Sequence, residues 1–112
     1  MSESDALLLR IDHEASADAV VVRLAGELDL SSAPLLHARI AELRPFVAPV
    51  SFEVSDLSFV DSSGLRALTA ARRAALEDTG RPVTLVGCGP ALRSLLELTG
   101  LSSAFEGVPT GS

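Results

Sequence analysis

Short β-branched runs that alternate with helix-length segments are the feature that most restricts how this chain can fold. The runs are Ala19–Ala25 (AVVVRLA), Val50–Val54 (VSFEV) and Val83–Val86 (VTLV). Each has the length and composition of a buried or half-buried strand. Between the first two lies SSAPLLHARIAELRP, where Leu36, Ile40 and Leu43 recur at helical spacing. Ser31 and Ser32 offer N-caps there, Pro34 suits the first turn and Pro45 ends the helix. Between the second and third runs, Asp61, Ser62 and Ser63 supply helix-starting chemistry ahead of a long Leu/Ala stretch. Gly80 closes that helix and Pro82 forbids its continuation. A third helix, Ala91–Leu98, follows the loop GCGP and is capped by Gly100. Strands alternating with helices imply parallel pairs joined by right-handed crossovers.

The ends modify this pattern. Leu7–Ile11 is a further short strand, and the polar turn HEASAD joins it to the next run as an antiparallel hairpin. Gly26–Asp29 (GELD) breaks the strand pattern before the first helix, Ser103–Phe105 forms a last short strand, and GVPTGS frays. The expected fold is α/β: a mixed, mostly parallel sheet covered by helices and opened by an antiparallel hairpin. One domain over residues 1–112, with a core spanning residues 5–106, is the expected organisation.

Composition excludes several functions. Four Phe and no Trp or Tyr leave an aliphatic core and no aromatic platform for stacking bases. The net charge is −6 and all nine basic residues are Arg, so nucleic acid is not an expected partner. The lone Cys88 cannot form an internal disulfide, and with two distant His it assembles no metal site. No stretch approaches the roughly 18 apolar residues of a membrane helix, and MSESDALLLR is not a signal peptide. A cytoplasmic protein, monomeric when free, without cofactor or metal and not inserted in a membrane, is expected. Enzymatic chemistry is not: DSSGL lacks the Gly-x-Ser-x-Gly elbow, and neither His13 nor His37 has triad neighbours. GCGP is too short, and lacks the Lys, for a phosphate-binding loop.

The segment FVDSSGLRAL carries the chemistry. Ser62 and Ser63 stand where Phe59–Val60 gives way to a helix that starts near Gly64. A serine there ordinarily does no more than cap. Yet helix N-termini carry unpaired N–H groups and partial positive charge, so a phosphate at this point is accommodated without unfolding the helix. It changes what the surface presents instead. Gly64 lets another backbone approach closely. Arg66, four residues after Ser62, shares its face and can pair with a phosphoserine or meet a partner. Ala70, Arg73 and Glu77 continue this exposed stripe, a candidate docking face. Leu65, Leu68, Ala71, Ala75 and Leu76 form the opposite, apolar side.

Three blocks bring a family into view. LSFVDSSGLRAL resembles the switch segment of the STAS-domain anti-sigma factor antagonists, whose pattern is a hydrophobic strand end followed by Asp-Ser-Ser/Thr-Gly-Leu. RLAGELDLSSAPLL resembles their Gly-Glu-Leu-Asp signature. VTLVGCGPALRSLLELTGL is similar to their strand, Pro-containing loop and amphipathic helix ending in Gly-Leu. The three occur in order from about Val20 to Phe105. The resemblance implies a STAS-like fold and a partner switch. The unphosphorylated protein binds an anti-sigma factor, often a serine kinase, and a sigma factor is released for transcription. Phosphorylation of Ser62, with Ser63 as the alternative acceptor, ends the complex, and a serine phosphatase reverses it. Asp29 matches the family's Asp in the loop beside the switch. The expected partner-contact set is therefore Asp29, Asp61, Ser63 and Gly64, with Leu65, Arg66 and Arg73. Two departures stand out: the chain ends in FEGVPTGS where many members continue into a further helix, and Arg66 replaces a small residue. The competing expectation is a non-switching STAS subunit of a membrane lipid-transport complex, against which the intact Asp-Ser-Ser-Gly argues.

Overall fold

Four strands and three helices alternate in the computed structural model, which describes residues 8–108. In chain order they are β1 (Leu9–Ala15), β2 (Val20–Leu28), α1 (Ala33–Leu43), β3 (Val50–Val60), α2 (Ser62–Thr79), β4 (Thr84–Val86) and α3 (Pro90–Leu98). The sheet order is β1-β2-β3-β4, with β1 antiparallel to β2 and the other pairs parallel. This is the mixed, hairpin-opened α/β sheet that the strand–helix alternation predicts.

The helices cover one face of it. Val22 and Leu24 of β2, Phe52 and Val54 of β3, Leu36 of α1 and Leu68 of α2 are buried in one core, which is mostly aliphatic but also takes in Phe46 and Phe105. Strand residues of the opposite parity form an open, charged face, as the two-residue period of a strand requires. There Arg23 pairs with Glu14 of β1 and Glu53 of β3. At the outer edge of β1, the Arg39 guanidinium on α1 donates to the Ile11 carbonyl at 2.8 Å. That contact occupies a carbonyl which a sheet edge would otherwise leave open.

Several boundaries differ from the sequence expectation. The first strand runs to Ala15, and the turn follows at residues 16–19; Leu7 lies outside the described residues. Gly26–Leu28 does not break β2 but belongs to it. The register with β3 shifts between Arg23 and Ala25 and again between Gly26 and Glu27, and Gly26 takes φ 104°. Glycine absorbs the irregularity because it adopts positive φ without penalty. β3 is also longer than VSFEV and reaches Val60, since the end of β2 supplies it with a partner. Ser103–Phe105 is a turn, and the pairing falls instead on Glu106, which bridges Thr84 in parallel. Ser32 precedes α1, yet its hydroxyl does not cap the helix. It is used in the loop described next.

Candidate functional site

β2 and β3 run in parallel and finish together, with Leu28 opposite Val60. The two segments singled out in the sequence therefore leave the same end of the sheet from adjacent strands. Just past β3, the Asp61 N–H donates to the Leu28 carbonyl at 3.3 Å, tying the start of α2 to the end of β2. Asp61 is extended and is the N-cap of α2, its Oδ1 accepting from the Gly64 N–H at 2.8 Å. Its carbonyl accepts the first helical bond, from the Leu65 N–H, also at 2.8 Å. Ser62 and Ser63 are thus the first two residues of the helix, which begins two residues before Gly64. Ser62 is exposed and Ser63 half-buried. Their backbone N–H groups find no acceptor among the described residues and point where a helix stabilises negative charge.

Gly64 makes this geometry possible. A Cβ built on it would lie 2.7 Å from the Leu28 carbonyl carbon and nearer still to its oxygen. No side chain fits there. The close approach brings backbone of β2 against the helix start, as expected for a glycine at this position.

The neighbouring loop is organised by Asp29. Its Oδ1 accepts from the Ser31 hydroxyl at 2.8 Å, the Ser31 N–H at 3.0 Å and the Ser32 N–H at 3.1 Å. These bonds, the Ser31 hydroxyl foremost, hold the Asp29 carboxyl below its ordinary range. Ser32, only 1% exposed, donates its hydroxyl to the Glu27 carbonyl at 2.7 Å and accepts from the Asp29 N–H at 3.0 Å. The loop is a knot of local bonds, and it carries Leu30 at its tip, 73% exposed.

The structure brings Asp61, Ser62, Ser63 and Gly64 together and sets the Asp29 loop beside them. Arg66 is exposed one turn along α2. Arg73 is exposed too, but eleven residues after Ser62 it lies about 16 Å further along the helix axis. Leu65, at 3% exposure, belongs to the core together with Leu68, Ala71 and Ala75.

Two apolar residues beside the site escaped the sequence reading. Leu30 sits in a segment whose polar neighbours hide it. Phe59 looks like a buried strand end but is 51% exposed. With Ser58, Val60, Gly87, Pro90 and Leu92, it lines an open cleft of about 280 Å³ between the end of β3 and the start of α3. No signal in the local pattern marks either residue as exposed.

Comparison with known proteins places this geometry. A family model described as "Mlab, STAS domain" matches residues 11–107. The anti-sigma F factor antagonist of Lysinibacillus sphaericus is 33% identical over 86 residues, which cover 75% of this chain and 73% of that protein. The crystal structure of an anti-sigma factor antagonist from Mycobacterium paratuberculosis superimposes with a TM-score of 0.67 at 30% identity, covering 91% of this chain and 86% of that one. The Bacillus cell fate determinant SpoIIAA, solved in its phosphorylated form, superimposes with a TM-score of 0.66 at 26% identity, covering 86% of this chain and 88% of its own. On the strength of a matching strand order, a family model that spans most of the chain and relatives similar along most of their length, this protein belongs to the STAS-domain family of anti-sigma factor antagonists.

Proposed function

We propose that this chain binds an anti-sigma serine kinase in its unphosphorylated form, so that a sigma factor is released, and that phosphorylation of Ser62 switches the binding off. A serine phosphatase restores it. The observation that carries this reading is the placement of Ser62: exposed, first in α2, on a backbone locked by the Asp61 cap and by the Leu28–Gly64 contact. A phosphate there meets two unpaired N–H groups and leaves the fold intact. It adds roughly −1.5 to −2 charges to a surface that already holds Asp29 and Asp61. Like-charge repulsion against an acidic patch of the partner, and the cost of stripping water from a phosphate, then end the complex. Arg66, on the Ser62 face of the helix, moderates that charge or meets the partner. Solution of SpoIIAA in a phosphorylated form supports the idea that this fold carries a phosphate without loss of structure.

Incubation with the purified anti-sigma kinases of the source organism and ATP, followed by mass mapping, tests the proposal. One phosphate on Ser62 is expected. Ser62→Ala should block the transfer and keep the kinase bound. A phosphate on Ser63 in the wild type moves the acceptor by one residue. No transfer by any kinase, with recovery of membrane lipid-transport subunits in its place, refutes the switch and favours the non-switching STAS subunit.

A further inference from the structure

We infer that Leu30 is the apolar anchor of the partner interface and that Asp29 acts as a positioning residue that holds it out, an inference resting on the proposed function above. Leu30 stands 73% exposed at the tip of this knot, where it has much to gain from burial in a partner. The knot spends a carboxylate, two hydroxyls and three backbone N–H groups on fixing its own shape. Leu30 is therefore presented on a rigid support, which lowers the ordering cost of inserting it into a partner. The support leaves the sheet at Leu28, and Leu28 is the residue against which Gly64 and Asp61 pack. Leu30 and Ser62 thus rise from one rigid end of the molecule.

Asp29, by contrast, directs Oδ1 into its own loop rather than outward. Through those bonds it holds the backbone that presents Leu30. The partner this surface fits is one with an apolar recess that takes a single leucine beside the serine. A phosphate on Ser62 then opposes docking in a second way. It brings a hydrated dianion next to an apolar contact that must shed its water.

Binding of the purified anti-sigma kinases of the source organism, each measured alone by calorimetry without ATP, tests this. Leu30→Ala should weaken the complex by about ten-fold or more, as truncation of an interface anchor does, with the urea midpoint unchanged. Asp29→Asn keeps an oxygen acceptor for Ser31 and Ser32 and should retain most of the affinity, whereas Asp29→Ala should lose it. Equal loss in Asp29→Asn and Asp29→Ala shows that the charge itself meets the partner and overturns the positioning role. Unchanged binding by Leu30→Ala, when the wild type binds, overturns the anchor while the proposed function stands. A wild type that binds no anti-sigma kinase overturns both.

Discussion

Replacing Gly64 with alanine sets two physical effects against each other. Alanine is favoured in a helix by about 1 kcal/mol over glycine, so local propensity alone predicts a more stable protein. Packing predicts the reverse. The new Cβ would lie 2.7 Å from the Leu28 carbonyl carbon, where ordinary contact needs about 3.4 Å or more. The start of α2 must withdraw by roughly 0.7 Å, and further to clear the oxygen. The Asp61 N–H to Leu28 bond, already 3.3 Å long, is lost in that movement. One such bond contributes about 1 kcal/mol, and forced overpacking costs about 1–3 kcal/mol. Subtracting the propensity gain leaves a net destabilisation of about 2 kcal/mol. Urea denaturation followed by circular dichroism measures it, and the midpoint should fall by about 1 M. Gly80→Ala is the control. It places alanine at φ 66° with no atom within 4 Å, so it costs only backbone strain and leaves the Ser62 end undisturbed. Amide shifts of Asp61 to Ser63 should move in Gly64→Ala and stay in Gly80→Ala. A Gly64→Ala protein with a midpoint at or above the wild type would refute the close-approach account.

Further expectations follow from single contacts. Asp61→Ala removes the cap on Gly64 and should cost about 1 kcal/mol in the urea experiment; an unchanged midpoint would show that the cap contributes nothing. Asp78 accepts from Arg44 at 2.8 Å and from the Phe46 N–H at 2.9 Å, and its carboxyl is held below the ordinary value of 3.8, by Arg44 first. Because the folded pKa is the lower one, its stabilisation is present above the unfolded value and lost as pH falls through the folded value. The gap in urea midpoint between wild type and Asp78→Asn should therefore be full at pH 6 and shrink below about pH 4, and a gap independent of pH would contradict it. Burial pushes the half-buried Cys88 thiol up, so a disulfide reagent at pH 7 should modify it more slowly than free cysteine; a faster reaction would contradict that environment.

Local chemistry made much of this molecule readable in advance. α2 is legible because Asp61, the Leu/Ala run and Gly80 act within a few residues of each other, through a cap, propensity and a left-handed terminus. The apolar stripe of Leu65, Leu68, Ala71 and Ala75 falls in the core because helical period alone puts those residues on one face. The position of Ser62 at a helix start was readable for the same reason, although the helix begins two residues earlier than Gly64.

What lay outside the reach of the sequence depends on partners distant along the chain. Ser55 to Phe59 is exposed or half-buried and carries no strand pattern, yet it is strand because β2 runs beside it. Gly26–Leu28 reads as a break and is strand because a glycine takes up the change in register. Asp29 was legible as a residue of the switch region, but its inward engagement with Ser31 and Ser32, and the exposure of Leu30 that follows, emerge only when the loop closes. The amino-acid sequence by itself determined the three helices, their apolar faces and a serine at a helix N-terminus, since each rests on contacts within one or two turns. Only the tertiary structure decided which two loops share one end of the sheet, because that depends on parallel pairing of Leu28 with Val60, and no local preference encodes it.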